Sequence, residues 1–223
     1  MRERLRGVPP ALGALLAVSA LLAVIWACLT PAFQAPDEQR HFAYVESLGA
    51  RHALPDAEGN KPTSTQLDEG MNGVNSNQVA AQPQVKPEWD PQAETQWEKI
   101  DATAPADDGG GPAPASAYPP VSYGWQAIGY VAGSTGSLWD KLLGARLMSA
   151  LWLPLTVLGT WLLAGEVLGR RRLLQTVAAA VPALLPMVAF ITASVSPDGM
   201  MYAVWTFALW LGVRCVKRGV PVV

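Results

Sequence analysis

The sequence predicts an all-α membrane protein with four transmembrane helices and a large extracytoplasmic first loop carrying short interfacial helices. Three observations lead there. Half of the 223 residues are apolar, and the mean hydropathy is positive. The apolar excess is gathered in four blocks, with a long polar stretch between the first two. Basic residues cluster at alternating ends of those blocks, as the positive-inside rule requires of one membrane face.

The N-terminus, 1–10, carries Arg2, Arg4 and Arg6 and is assigned to the cytoplasm. Pro9 and Pro10 suit the first turn of a helix, where a missing N–H costs nothing. The first span, 11–29, has no charge and is long enough for roughly 30 Å of hydrocarbon. Bulky Trp26 fits a cleavage site poorly, so this span is read as retained rather than as a removed leader. Thr30 and Pro31 end it.

The loop, 30–140, holds an excess of acids and is placed outside. Pro36, Asp37 and Glu38 mark a helix start, with acids at the positive end of the helix dipole. Phe42, Val45 and Leu48 form its apolar stripe, and a surface helix is expected near 36–48. From Pro55 to about Pro114 the composition shifts to Asn, Gln, Pro, Gly, Asp and Ala. This stretch is expected to be mostly irregular, with Trp89 and Trp97 as anchors to the membrane surface or the protein body. A second interfacial helix is expected near 120–132, where Tyr123, Trp125, Ile128 and Tyr130 are dense.

The second span, 141–169, carries Arg146 near its start and Glu166 near its end. Arg170, Arg171 and Arg172 fill a cytoplasmic turn. The third span, 173–195, contains Pro182 and Pro186. An outer turn, 196–198, leads into the fourth span, 199–216, and a cytoplasmic tail, 217–223, follows. Arg214, Lys217 and Arg218 share the side of the other basic clusters. Cys28 and Cys215 fall near opposite membrane faces, so no disulfide is expected between them.

Chemistry concentrates just after the first span. Asp37, Glu38, Arg40 and His41 lie within five positions, and a helix puts Asp37 and His41 on one face. The bland reading is a helix first turn with an ordinary charge pair. A divalent metal is a further reading of the same groups, although no second ligand group accompanies them. Arg146 either reaches bidentately for a phosphate or snorkels to lipid headgroups. Asp198 either joins a site or caps its helix.

The order Pro36-Asp37-Glu38, His41-Phe42, Tyr118-Pro119-Pro120, Ala145-Arg146-Leu147-Met148-Ser149 and Ser196-Pro197-Asp198 resembles the GT-C-type membrane glycosyltransferases. It is most similar to bacterial relatives described only as predicted membrane proteins. Tyr118 stands where relatives often have His, and Ser196 where they have Asn. The resemblance implies a bacterial plasma-membrane enzyme that transfers sugar from a polyprenyl-phosphate donor to an extracytoplasmic acceptor. It implies Asp37 as catalytic base, with Glu38 as second choice, His41 and Arg40 in support, and Arg146 at the phosphate. Asp198, Tyr118 and Tyr123 are further site residues on this reading. No cofactor is called for. Relatives have more spans, so the chain is expected to be the N-terminal part of such an enzyme or to pair with a second membrane chain. The competing class is a non-catalytic membrane subunit or scaffold of the same fold.

Overall fold

The computed structural model describes residues 9–56, 58, 61–82, 84, 91–169 and 171–219. Arg2, Arg4, Arg6, Trp89 and Arg170, used above for topology and anchoring, lie outside the described residues. Among the described residues there are eleven α-helices, one 3₁₀ turn and no strand. The chain divides into two compact units. One, the span unit, comprises Met1–Trp26, Ala150–Ala193 and Asp198–Val223; the other, the loop unit, comprises Ala27–Ser149 and Ser194–Pro197.

The span unit holds most of α1 (Pro10–Leu29), α8 (Trp152–Val167), α9 (Arg172–Leu184), α10 (Pro186–Ala193) and α11 (Asp198–Arg218). α8 packs on both α9 and α11. Gly159 lets α11 approach, since a Cβ there would meet Thr206 Oγ1 at 2.3 Å. Outward positions stay apolar, including Leu21, Val177, Val181, Val204, Trp205 and Leu209, as befits helices solvated by lipid. Glu166 at the end of α8 accepts from Arg214 at 3.3 Å and from Arg218 at 2.8 Å.

Three helices are long and apolar enough to cross a bilayer: Pro10–Leu29, Leu138–Val167 and Asp198–Arg218. A fourth candidate is the pair Arg172–Leu184 and Pro186–Ala193, bent by 55°. The expected third span is therefore broken. The residue before a proline is pushed out of the helical region, and Leu185 before Pro186 is extended, with φ −76° and ψ 111°.

The loop unit contains α2 (Glu38–Ala50), α3 (Thr65–Gly73), α4 (Ser76–Ala81), α5 (Pro91–Asp101), the 3₁₀ turn Pro114–Ala117, α6 (Val121–Ala132) and nearly all of α7 (Leu138–Ala150). Its core gathers Phe33, Phe42, Tyr44, Trp97, Tyr123 and Tyr130 with aliphatic neighbours. α2 packs into this core: Phe42, Ala43, Tyr44, Val45, Glu46 and Ser47 are all buried. α6 has two faces. Tyr123, Gln126, Ala127 and Tyr130 are buried, while Val121, Ile128 and Val131 are exposed.

The stretch expected to be irregular carries three short helices. Ser64 caps α3 by accepting from the Leu67 amide at 3.0 Å, a common way to satisfy a helix's first N–H groups. Leu67 is fully buried, and Trp97 stacks near Trp139 with centroids 5.0 Å apart. The two ends of this strap run side by side: Gln66 N donates to Pro105 O at 3.0 Å and Gly111 N to Lys61 O at 2.6 Å. Trp97 thus anchors to the protein body.

Candidate functional site

The turn between α1 and α2 adopts an unusual backbone. Phe33 has φ 58° and Asp37 has φ 54°, in the left-handed region that Asp tolerates and bulky residues avoid. Something must hold Phe33 there, and Glu38 does. The Phe33 amide donates to Glu38 Oε2 at 3.2 Å.

Glu38 is 0% exposed. Its Oε1 accepts from Arg146 Nε at 2.8 Å and from the Val195 amide at 3.1 Å. Its Oε2 accepts from Arg146 Nη2 at 2.6 Å as well as from Phe33. Both carboxylate oxygens therefore have two donors each. Arg146 is 4% exposed. Beyond Glu38, its Nη1 donates to Thr30 O at 2.6 Å and Ala27 O at 3.2 Å, and its Nη2 to Pro31 O at 3.0 Å. A guanidinium has five N–H groups, and all five are engaged by the protein. A buried ion pair this completely bonded is a fastener whose rupture strands a charge in the interior. The phosphate contact expected of Arg146 finds no N–H left to make it, and Glu38 offers no open oxygen to an acceptor proton. Both act instead on the turn that carries Asp37.

Asp37 points the other way. Its side chain is 59% exposed, and it pairs with Arg40, 54% exposed, at 3.0 Å. Exposed pairs of this kind hold weakly and exchange partners readily. One turn along, His41 Nδ1 lies 2.8 Å from the Tyr123 hydroxyl. The Tyr123 ring stacks on Tyr44 at 4.1 Å, and His41 meets half-exposed Tyr118 edge-on at 5.9 Å. Asp37, Arg40, His41, Tyr118 and Tyr123 thus belong to one neighbourhood of the loop unit, over the buried Glu38–Arg146 pair. Asp198 occupies the first turn of α11, in the span unit, where an acid suits the helix dipole.

Several residues of this region were not legible beforehand. The Phe33 and Val195 amides are backbone groups with no sequence signature. Gln126 Nε2 donates to Ser149 Oγ at 2.8 Å and to Ser196 O at 2.7 Å, tying the 194–197 turn to α6 and α7. A polar residue in an otherwise apolar helix was the available hint. Among the described residues, no group of three or more His, Cys, Asp or Glu is disposed to hold a metal. Both cysteines are free thiols. A groove of ≈ 520 Å³ along α6 and α7, lined by Gly129, Gly133, Gly136, Asp140 and Leu147 among others, contains none of the expected site residues.

Residues 20–221 match the profile of one family, described as a predicted membrane protein, DUF2142. No curated protein and no solved structure matches the chain significantly. The match spans nearly the whole sequence, and it agrees with an all-helical chain in which three or four helices can cross a bilayer: the chain belongs to the DUF2142 family of predicted membrane proteins.

Proposed function

We propose that this chain is a bacterial plasma-membrane glycosyltransferase, or the N-terminal part of one, that moves a sugar from a polyprenyl-phosphate donor to an extracytoplasmic acceptor. The observation that carries the reading is the pairing of an exposed carboxylate with a rigid base. Asp37 meets solvent at the end of a strained turn, and that turn is pinned by the buried Glu38–Arg146 pair. Strain held in place by surrounding bonds is often associated with function.

In the proposed reaction Asp37 accepts the proton of the acceptor hydroxyl. The hydroxyl oxygen bonds to the anomeric carbon, and the carbon–oxygen bond to phosphate breaks. The electron pair leaves with polyprenyl phosphate. Arg40 is the cation suited to the departing phosphate, since its bond to Asp37 is exposed and exchangeable. Release from Arg40 also frees Asp37 to act as base. Tyr118 and His41 offer an aromatic edge for a sugar ring, and Tyr123 fixes His41. Glu38 and Arg146 are positioning residues. Asp198 is kept as a first-turn acid that suits the dipole of α11. The exposed apolar face of α6, with Val121, Ile128 and Val131, supports an interfacial placement for this helix, with the loop unit outside and both termini in the cytoplasm.

The test is Asp37→Asn in the full chain, in native membranes, assayed for sugar transfer from a polyprenyl-phosphate donor. Loss of transfer with normal insertion supports the enzyme, and retained transfer removes Asp37 from the chemistry. A second reading is a non-catalytic membrane subunit that works with another chain. It is favoured by the internal use of every bond of Glu38 and Arg146. Failure of the purified wild-type chain to bind polyprenyl phosphate, even with its genomic neighbours present, selects that reading.

A further inference from the structure

A second acid on α2 sits in a very different place. Glu46 is 2% exposed. Ser64, at the start of α3, donates to its carboxyl from side chain and backbone, while Oε1 has no hydrogen-bond partner. Titratable groups bear on it from α6, α7 and the strap. From α7, Lys141 bears on it electrostatically, but its ammonium is committed to Gln66 Oε1 at 2.8 Å and lies 5.7 Å from the Tyr130 ring centre. From α6 comes Tyr130, whose buried hydroxyl is also unpartnered. From the strap comes Asp108, a like charge, which Lys61 and Thr65 hold at the surface. Asp107 adds a further negative field at Tyr130. Asp101 of α5 accepts from Gln66 Nε2 at 2.8 Å and completes the tie to α3.

A carboxylate needs several donors when it leaves water. Here the second oxygen has none, and among the described residues no ammonium or guanidinium forms an ion pair with the group. The protonated acid is the form this site accommodates. We propose that Glu46 is a proton-operated latch: as a neutral acid it lets the strap segments 61–82 and 91–111 close over α2, α6 and α7, and its ionisation releases them. This inference is independent of the glycosyltransferase reading and would stand if that reading fell.

The burial of Glu46 pushes its pKa up to about 8, with Ser64 and Lys141 pulling in the opposite sense and Asp108 adding to the rise. Opening the strap returns the acid to water and to an ordinary carboxylate value. Between those two values the open form binds fewer protons than the closed one. The opening equilibrium should then rise about tenfold per pH unit, from the ordinary carboxylate range up to about pH 8, and level off above it.

Amide hydrogen exchange on the full chain in lipid nanodiscs reads this directly, after correction for the intrinsic pH dependence of exchange. α3 amides in the wild type should lose protection about tenfold per pH unit within that window, and Glu46→Gln should remove the slope. An α8 peptide serves as the internal reference. Infrared titration of the unaltered protein gives an independent reading: the carbonyl band of a protonated acid should be present at neutral pH and should vanish as the pH rises beyond about 8. A wild-type slope that persists in Glu46→Gln, a flat wild-type profile, or an acid band already absent at neutral pH would each overturn the latch.

Discussion

Glu38 and Glu46 lie about two turns apart on α2, and both are withdrawn from water. Their surroundings differ in every other respect. Glu38 meets four donors, including a guanidinium that approaches it bidentately. Glu46 meets Ser64 and has one oxygen with no partner at all. Burial alone therefore decides nothing about what an acid does. The first position supports a charge and uses it to fasten distant segments. The second is built for a neutral acid and makes the packing of the strap depend on a proton.

The largest effect should follow from breaking the compensated side. Arg146→Ala leaves Glu38 buried without its cation and should cost about 3–5 kcal/mol, seen as a fall in unfolding temperature in detergent. Arg146→Lys should recover little, because an ammonium cannot reproduce five donors in a fork. Replacing both partners by methionine should recover more than either single change, as buried pairs exchanged for apolar groups commonly do.

A middling effect is expected where the two acids share a support. α7 carries both Arg146 and Lys141, and its position is set by the crossing of Gly129 and Gly144. A Cβ on Gly129 would stand 2.0 Å from the Gly144 carbonyl oxygen. Gly129→Ala should destabilise by about 1–3 kcal/mol in the same unfolding assay, and it should disturb both acids together.

The uncompensated side should respond to pH. With Glu46 raised from 4.5 to about 8 in the folded chain, the folded state holds a proton that the unfolded state has lost. Its contribution to stability is complete at the acidic end and declines as pH climbs to about 8, by roughly 1.4 kcal/mol per pH unit. Unfolding curves of Glu46→Gln measured across that range should lack this slope. The smallest change in stability belongs to Asp37→Asn, within about 0.5 kcal/mol, since the pair it breaks is solvated. The same variant should abolish sugar transfer if the proposed chemistry holds, so stability and activity part company at this one position.

The sequence made some of this legible. Uncharged apolar runs announced α1, and the periodic stripe at Phe42 and Val45 announced α2. Pro36 and the adjoining acids fixed where α2 begins to within two residues. The contrast between Asp37 and Glu38 was hidden, because no residue pattern announces that Asp37 takes a left-handed turn conformation just where Glu38 opens the helix. Only the tertiary setting says which one turns inward. The helices of the strap were hidden too. Their composition is polar, and they contribute little more than Leu67 and Trp97 to the core, which is too sparse to make a periodic signal. The two donors that complete the Glu38 site beyond Arg146, the Phe33 and Val195 amides, are main-chain groups, and no choice of side chain encodes them.

The bend between α9 and α10 has a consequence for how the chain enters a bilayer. Pro182 and Pro186 lack the N–H groups that would ordinarily serve the carbonyls of Ala178 and Pro182. Bare carbonyls are costly in hydrocarbon, so this stretch should be a reluctant solo entrant. α8, which packs against α9, is the natural companion, and the two should insert as a hairpin. In a reporter assay that tags translocated segments, 172–193 on its own should fail to integrate, whereas the uncharged α1 should integrate unaided; independent integration of 172–193 would refute the hairpin.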